Sequence, residues 1–159
     1  MALSLLQQEI KQARPFPSPE VEAYLNLART FGLLSCEMER FFKGYGVSAA
    51  GYNVLRILNG AKRDGEEALP TLEVAQRLVS PVPDVTRLID RLVRDGLVTR
   101  DRGAEDRRVV YVAITAKAQT LLRKIDKPLV EHHKNHLGRL TKTDLKNLIR
   151  LLEKARSAM

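Results

Sequence analysis

The sequence predicts a mainly α-helical fold with one small β-hairpin. Apolar residues recur at helical spacing through most of the chain. Two short β-prone runs, at 97–101 and 108–114, flank a polar loop that contains Gly103. Hydrophobic residues make up 44% of the 159 residues and charged residues 29%, which is the balance of a globular protein with a core rather than of a disordered chain.

The first 47 residues are predicted to hold two helices. A short amphipathic helix is predicted within residues 1–14, ahead of the helix-breaking segment PFPSP at 15–19. A long helix is then predicted over about 20–43, because apolar side chains recur there at helical spacing and two glutamates occupy its first turn. The segment GYGVS ends this helix.

Two further helices are predicted between residues 48 and 79. Ser48 has a side chain suited to an N-cap and precedes a helix over 49 to about 62. After the loop RDGEEALP, Thr71 is predicted to cap a short helix over 72–79. Three apolar side chains of that short helix are expected to face inward: Leu72, Ala75 and Leu78.

The next helix follows the turn SPVP at 80–83 and has the clearest amphipathic pattern. Its apolar residues follow the spacing of a single buried stripe: Val85, Leu88, Ile89, Leu92 and Val93. Gly96 is predicted to end this helix at the C′ position. A short helix, a tight turn, a second helix and a charged hairpin together define a winged helix-turn-helix. Residues 48–114 are therefore predicted to form such a lobe, with a small β-hairpin wing.

The segment 115–159 is predicted to form two helices. The first begins at the start of the segment and ends near residue 136. The second, over about 143–156, begins with a capping-box-like pair, Thr141 and Asp144. These helices and those of the segment 1–47 carry more Leu and Ile than a small winged lobe can cover. Surplus apolar stripes usually mark an interface, so both terminal segments are predicted to be dimerisation helices.

The charge of the chain is unevenly distributed and indicates a polyanionic partner. The net charge is +8. Residues 86–114 contain seven basic residues, all Arg, and residues 115–159 contain 11 basic and 4 acidic residues, a net +7. The planar guanidinium group of Arg suits phosphate oxygens and guanine edges better than the Lys ammonium group does. Nucleic acid fits this pattern, and the alternatives are anionic lipid or a merely soluble basic surface.

The outward face of the helix after SPVP supplies the first candidate contacts with nucleic acid. Recognition helices read base edges with their N-terminal residues, so four residues are candidates for the major groove: Pro83, Asp84, Thr86 and Arg87. Arg87 suits bidentate binding of guanine O6 and N7, and Pro83 suits contact with a thymine methyl group. Arg91 lies further along and is expected to meet phosphates. The alternative is a solvated helix with i,i+4 ion pairs such as Asp90–Arg94.

The hairpin tip RDRGAEDRR supplies a second set of candidate contacts. Arg102, Arg107 and Arg108 lie there beside acidic residues, and a basic wing suits the narrow minor groove with its negative potential. Arg108 shares strand parity with the apolar Val110, so it is expected to lean under the wing while Arg107 projects outward. Asp106 is expected to orient one of these guanidinium groups. The alternative is a solvated charged turn.

These motifs resemble those of a known family. The stretch VTRLIDRLVRDGLVTRDRGAEDRRVVYVAIT is similar to the MarR-family pattern in which VTRL, DRL and GL are followed by a wing with DRR and by a helix start of the form LT. The detailed match covers about residues 71–118, and the layout of the flanking helices extends it to about 20–157. Ala118 stands where the family usually has Gly, which leaves the nucleic-acid-contacting part unchanged.

The resemblance implies a homodimer built from the N- and C-terminal helices, a pseudopalindromic double-stranded DNA operator, and repression relieved by a small aromatic or lipophilic effector. Relatives hold such ligands between the dimer helices and the winged lobe. Four residues of this chain are candidates for that pocket, with core packing as the alternative: Phe31, Met38, Phe41 and Tyr52. The predicted function is a sequence-specific DNA-binding transcriptional repressor. The alternatives are an effector-independent DNA-binding protein and a winged-helix module that contacts proteins.

Other chemistry-bearing residues give weaker signals. Cys36 is the sole cysteine, and a buried inert thiol is a commoner role than sensing for such a residue. His132 and His136 share one helix face but need a third ligand to hold a metal, so neither a metal nor a cofactor is expected. No nucleophile-elbow, dinucleotide-binding or Walker motif occurs, so no enzyme is expected. Without a signal-peptide core or a run of ~18 apolar residues, the cytoplasm is the expected location and no membrane partner is expected.

Overall fold

The computed structural model describes residues 3–103 and 106–157. Within them, seven α-helices and one small antiparallel sheet of three strands confirm the mainly α fold with a small β-hairpin wing. The helices are α1 (Leu5–Glu9), α2 (Pro19–Lys43), α3 (Ala49–Arg63), α4 (Thr71–Gln76), α5 (Val85–Arg94), α6 (Ala116–Leu137) and α7 (Lys142–Arg156). The strands are β1 (Leu69–Pro70), β2 (Val98–Arg102) and β3 (Val110–Ile114). Among the described residues, no helix has the length and hydropathy that crossing a bilayer requires.

The chain divides into two compact units, Met1–Gly46 and Val47–Met159. The first unit contains α1 and α2, and the second contains the other elements. This division lies beside the boundary between 47 and 48 taken from the sequence, and residues 115–159 lie in the same unit as residues 48–114. The dimerisation and DNA-binding roles assigned to these segments remain predictions.

In the first unit, α1 is shorter than the helix predicted within residues 1–14. A capping box fixes its start, since the Ser4 hydroxyl accepts a hydrogen bond from the Gln7 N–H and the Gln7 side chain accepts one from the Ser4 N–H at 2.9 Å. The Gln7 side chain also donates to the Arg14 carbonyl at 2.9 Å. The following residues therefore fold back over the helix instead of extending it.

The long helix α2 matches the predicted one and begins at Pro19. Proline is favoured at the first helical position because its missing N–H would have no intrahelical partner there, and Glu20 and Glu22 complement the helix dipole. A hydrogen bond from the Ser18 side chain holds the pKa of Glu20 below its usual value. Several large apolar side chains of α2 are exposed in the single chain: Val21, Tyr24, Leu27, Phe31 and Leu33.

In the second unit, α3 is the centre of the core. Ser48 is its N-cap, as predicted. The Ser48 hydroxyl accepts a hydrogen bond from the Gly51 N–H at 3.0 Å. The helix contacts α4, α5, α6 and β3. Fully buried side chains from these elements and the sheet form the core, among them Val54, Leu55, Leu69, Val74, Ile89, Val98, Val112, Leu122 and Ile125. This core fixes α5 and the sheet relative to each other.

The sheet has the strand order β1-β3-β2 and adds one strand to the predicted hairpin. In the hairpin, Val98 lies opposite Ile114 and Arg102 lies opposite Val110. The extra strand β1 pairs Leu69 with Val112 of β3. It has only two residues, too few to show an alternating pattern, and its proline is tolerated because β1 is an edge strand.

The short helix α4 differs from the prediction. Thr71 is its first residue rather than its cap, and the Thr71 hydroxyl donates to the Val110 carbonyl at 3.1 Å, which joins α4 to β3. Leu72 was expected to face inward but is 71% exposed, whereas Val74 is fully buried. The other two residues expected to face inward, Ala75 and Leu78, are half-buried. The helix ends at Gln76, three residues earlier than predicted.

The two C-terminal helices differ in how they pack. After the N-cap Thr115, α6 buries four residues: Ala118, Leu122, Ile125 and Leu129. The predicted capping box begins α7, and the hydrogen bonds from Thr141 hold the pKa of Asp144 below its usual value. No residue of α7 is buried. Three of its large apolar side chains are exposed: Leu148, Ile149 and Leu151.

Candidate nucleic-acid interface

One carboxylate organises the start of α5. Asp84 is the N-cap, and its Oδ1 accepts a hydrogen bond from the backbone N–H of Arg87 at 2.9 Å. Its Oδ2 lies 3.0 Å from the Arg87 Nε. The Arg87 side chain is nevertheless 87% exposed, so its guanidinium group is tethered at the helix start and open to a ligand. The sequence did not reveal this capping role, and base reading by Asp84 remains a prediction.

The end of α5 is fixed as firmly as its start. Gly96 has a φ of 69°, as the predicted C′ position requires, and the Leu97 N–H bonds the Leu92 carbonyl at 2.9 Å in a Schellman motif. The Thr115 hydroxyl donates to the Gly96 carbonyl at 2.9 Å. The Lys117 ammonium group donates to the Asp95 carbonyl at 2.7 Å. The start of α6 therefore satisfies carbonyl groups at the end of α5.

The two faces of α5 separate as an amphipathic helix requires. Leu88, Ile89 and Leu92 are buried, while Val85 is half-buried and Val93 is 38% exposed, so the predicted stripe does not extend to Val93. The opposite side and the approach to the helix are exposed and include every candidate the sequence assigned there: Pro83, Asp84, Thr86, Arg87 and Arg91. Asp90 and Arg94 share this exposed surface.

The loop between β2 and β3, the tip of the wing, is closed by backbone hydrogen bonds. The Gly103 N–H donates to the Val109 carbonyl at 2.8 Å, and the Val109 N–H donates to the Asp106 carbonyl at 3.1 Å. A Cβ atom at Gly103 would lie 2.7 Å from the Asp106 carbonyl oxygen, so this turn requires glycine. Residues 104 and 105 of the predicted tip lie outside the described residues.

The structure corrects how Asp106 supports the wing. Its Oδ1 accepts a hydrogen bond from the backbone N–H of Arg108 at 2.8 Å. The sequence predicted that this carboxylate orients a guanidinium group, but among the described residues it forms no ion pair. Short acidic side chains in turns often bond the backbone two residues ahead, which is the pattern seen here.

The wing arginines surround a shallow polar cleft of about 490 Å³, lined by Arg100, Asp101, Arg102, Arg107, Arg108 and Val110. Arg108 also lines a second cleft together with Thr86 and Ile89 of α5. Arg108 is exposed and lies in the turn before β3, so its expected lean under the wing remains a prediction. Four arginines and one aspartate line this open cleft, so this surface has a net positive charge.

Arg100 belongs to this surface but was not among the residues that the sequence singled out. Its Nη1 lies 2.5 Å from the Asp90 Oδ1 on the exposed side of α5. The sequence offered Arg94 as the partner of Asp90, and that pair does not occur among the described residues. Alternation along β2 places Arg100 on the same face as the buried Val98, and this parity is the signal that would have pointed it toward α5.

The four candidate ligand-pocket residues lie on two helices. Phe31, Met38 and Phe41 are on α2 in the first unit, and Tyr52 is on α3 in the second. Phe31 is 60% exposed, and Met38 is half-buried. The Phe41 ring packs against that of Tyr45, with ring centroids 5.2 Å apart. Their role in ligand binding remains a prediction.

Tyr52 is part of a polar cluster that joins α3 to α6. Its hydroxyl accepts a hydrogen bond from the Arg56 Nε at 2.7 Å, and the guanidinium carbon lies 5.3 Å from the Tyr52 ring centroid. Arg56 also forms an ion pair with Asp126 of α6. Gln119 of α6 donates to Asn59 of α3 at 3.4 Å. These contacts connect the core of the winged lobe to α6 by polar as well as apolar packing.

The remaining candidates have simpler surroundings. Cys36 is exposed on α2, so the expectation of a buried thiol is wrong. The rings of His132 and His136 lie 4.5 Å apart on α6, centroid to centroid. In the part of the chain that the structure describes, no group of three or more His, Cys, Asp or Glu side chains is placed to hold a metal ion.

The helix α4, the turn after it and the exposed helix α5, followed by a hairpin with an arginine-rich tip, define a winged helix-turn-helix protein. Residues 39–125, more than half of the chain, match the family model of the transcriptional regulator SarA/Rot. A crystal structure of a MarR transcription factor from Planctomyces limnophilus is 42% identical, with a TM-score of 0.68 over 87% of this chain and 98% of that one. The chain belongs to the MarR family of transcriptional regulators, and it is a regulator rather than an enzyme.

Two further similarities are more distant. The HTH-type transcriptional repressor YetL of Bacillus subtilis (strain 168) is 30% identical over 64% of this chain and 59% of YetL, so the chain spans less than two thirds of that relative. A mutant MarR from E. coli, crystallised in complex with operator DNA, has a TM-score of 0.68 at 23% identity over 87% of this chain and 99% of that one. The second similarity shows a shared fold.

Proposed function

We propose that this regulator is a repressor that binds a pseudopalindromic DNA operator as a homodimer, through α5 in the major groove and the wing in the minor groove. One observation carries the proposal. Arg87 is 87% exposed at the N-terminal end of a helix that is fixed at both ends. The N-terminal residues of recognition helices read base edges, and a bidentate arginine is the commonest reader of guanine.

The wing supports the same function by a different interaction. Arg102, Arg107 and Arg108 line one open cleft, and arginines suit both phosphates and the narrow minor groove. The E. coli MarR of the same fold was crystallised with operator DNA, and YetL is named a repressor. Binding to DNA and repression are accordingly the functions we assign to this chain, and we expect it to act in the cytoplasm.

Unpartnered apolar surface supports the homodimer. In the single chain α7 buries no residue and exposes Leu148, Ile149 and Leu151, and α2 exposes five large apolar side chains. Apolar patches of this kind usually mark protein interfaces. A two-fold dimer would also place two copies of α5 about one helical turn, ~10 bp, apart on the operator.

Fluorescence anisotropy with the DNA upstream of the protein's own gene tests operator binding. We expect one preferred duplex and an affinity that falls steeply as salt rises, because neutralised phosphates release counterions. A wild-type protein with no preferred duplex at any salt concentration would instead be a winged-helix module that contacts proteins.

Light scattering tests the dimer, with an expected mass of about twice 17.9 kDa. Leu148→Asp should give monomers or insoluble protein because it places a charge on the exposed apolar face of α7. The adjacent Asn147→Asp adds the same charge to the same helix and serves as the control, which should remain dimeric. A wild-type mass of one chain at micromolar concentration would contradict the proposal.

A small effector completes the proposed function. Phe31, Met38, Phe41 and Tyr52 provide aromatic and thioether surface suited to an aromatic acid or another lipophilic compound. We expect such a compound to raise the melting temperature and to release operator DNA. If a broad library of these compounds changes neither quantity, the protein is an effector-independent DNA-binding protein.

A further inference from the structure

We infer that Arg100 is a positioning residue, which acts on DNA affinity through Asp90 rather than by contacting DNA. The inference rests on the proposed DNA-binding function and assigns a role within that same surface. The Arg100 Nη1 lies 2.5 Å from the Asp90 Oδ1, so this one ion pair joins the base of the wing to the exposed face of α5. The Arg100 side chain is 38% exposed, less than half the exposure of the Arg87 side chain.

Asp90 has a charge of the wrong sign for its location. It lies one turn after Arg87 on the face of α5 that approaches the duplex, and Arg91 and Arg94 share its exposed surface. Duplex DNA carries one negative charge per ~1.7 Å of helix axis, so an unpaired carboxylate on this face would repel the phosphates. The guanidinium group of Arg100 neutralises that carboxylate at hydrogen-bonding distance.

The same ion pair fixes the wing against the helix. Arg100 is the middle residue of β2 and lies opposite Val112, which is fully buried, so its backbone is held by the core. Its side chain borders both the cleft facing α5 and the cleft among the wing arginines. Arg100 therefore connects the two parts of the interface, and its loss would leave the Asp90 carboxylate unpaired.

Arg102 is a matched control for Arg100. It lies on the same strand two residues further along, has the same strand parity, and is exposed. Among the described residues it forms no ion pair, so Arg102→Gln removes an equal charge from the wing without releasing Asp90. If Arg100 contacts a phosphate directly, Arg100→Gln should behave like Arg102→Gln. If Arg100 is a positioning residue, the two variants should differ.

The experiment measures the affinity of six proteins for operator and random duplexes over a range of salt concentrations. They are the wild type, Asp90→Asn, Arg100→Gln, Arg102→Gln, and the two double variants that combine Asp90→Asn with either arginine substitution. Arg100→Gln should weaken both duplexes about fivefold at low salt, the effect of one unscreened charge near another in water. This deficit should shrink as salt shortens the Debye length.

The double variants decide the assignment. Adding Asp90→Asn should restore affinity in Arg100→Gln, because the carboxylate that the arginine neutralised is then absent. The same substitution should act equally in the wild type and in Arg102→Gln. If Asp90→Asn changes affinity by the same factor in the wild type, in Arg100→Gln and in Arg102→Gln, Arg100 contacts DNA independently and the inference is overturned. If the wild type binds no duplex, the proposed function fails and the inference fails with it.

Circular dichroism and thermal melting first establish that each variant is folded. Should Arg100→Gln not fold, Arg100→Lys takes its place, because a lysine keeps the charge but loses the planar fork that binds a carboxylate. The coupling is the difference between the affinity change of the double variant and the sum of the two single changes. For Arg100→Lys with Asp90→Asn it should be smaller than for Arg100→Gln but of the same sign. A coupling of zero would overturn the inference.

Discussion

The helix α5, which we propose to be the recognition helix, and the tip of the wing are held in different ways. A carboxylate caps the start of α5, a Schellman motif and two side chains from the next helix fix its end, and three apolar residues bury its inner face. The wing tip is exposed, and hydrogen bonds to its own backbone close it. The helix α5 is held more firmly than the wing tip, so it is the better suited of the two to contacts that require an exact position.

A firmly held helix and a less firmly held wing suit different kinds of contact with DNA. A bidentate contact between arginine and guanine forms only when both hydrogen bonds have good distances and angles, so the helix that carries it must be fixed. The attraction between an arginine and the charge or width of a groove depends weakly on position. A wing that tolerates small displacements still contributes its full charge to binding.

The largest effect that would test this comparison is expected for Arg87→Ala. Loss of a bidentate pair should weaken operator binding by about 1–3 kcal/mol and should affect random DNA much less. Anisotropy titrations with the operator and with a random duplex measure the difference. Equal weakening of both would mean that α5 is not the element that reads the sequence.

Asp84→Ala should have the next largest effect. It removes the N-cap of α5 and the ion-pair partner of Arg87, so the free energy of unfolding should fall by about 1 kcal/mol and operator affinity should fall as well. Urea unfolding and anisotropy measure the two losses. Ser48→Ala is the matched control, since it removes the N-cap of α3 and should lower stability alone. An Asp84→Ala protein with unchanged operator affinity would contradict the role of this carboxylate in orienting the interface.

Arg107→Ala should reduce affinity for most sequences rather than for the operator alone. If Arg107 neutralises one phosphate, the slope of log affinity against log salt should fall by ~1. Any preference for A·T-rich flanking sequence should also disappear, because narrow minor grooves attract arginine. Flank-swapped operators at several salt concentrations measure both effects. A loss confined to the operator would show that the wing reads bases.

The smallest effect is expected for Asp106→Ala. This variant keeps every arginine but removes the acceptor for the Arg108 N–H, so it should behave as a partial wing variant with a nearly unchanged salt slope. Asp106→Asn keeps an oxygen acceptor at the same position and should retain more affinity. A slope change as large as that of Arg107→Ala would show that Asp106 acts through the charge of the arginines after all.

The sequence predicted the elements whose signals are local. Long periodic apolar patterns occur in the helices α2, α3, α5, α6 and α7, and residues such as Ser48, Thr141 and Gly96 marked the ends of some of them. It did not predict β1, whose two residues pair with a strand about 40 positions later. It also misplaced the start of α4, because the Thr71 hydroxyl that resembled a cap bonds β3 instead.

In the candidate interface, too, the sequence predicted local features but not contacts between different elements. The exposure of Arg87 follows from the apolar stripe on the opposite side of α5. The partner of Asp90 does not follow from helical spacing, because it lies on another element. Asp106 was misassigned for a related reason, since sequence alone does not tell whether a carboxylate bonds a side chain or the backbone beside it.

The junction between α5 and α6 has a mechanical consequence. Thr115 and Lys117 bind the terminal carbonyl groups of α5, so the first turn of α6 and the end of the recognition helix move together. With 22 residues, α6 is about 33 Å long, and Pro128 lies within it. Pivoting the helix by roughly 10° about its far end would carry its near end through about 6 Å, comparable to one turn of an α-helix. In the proposed complex, a small rotation of α6 would therefore be enough to move Arg87 away from the base that we expect it to read.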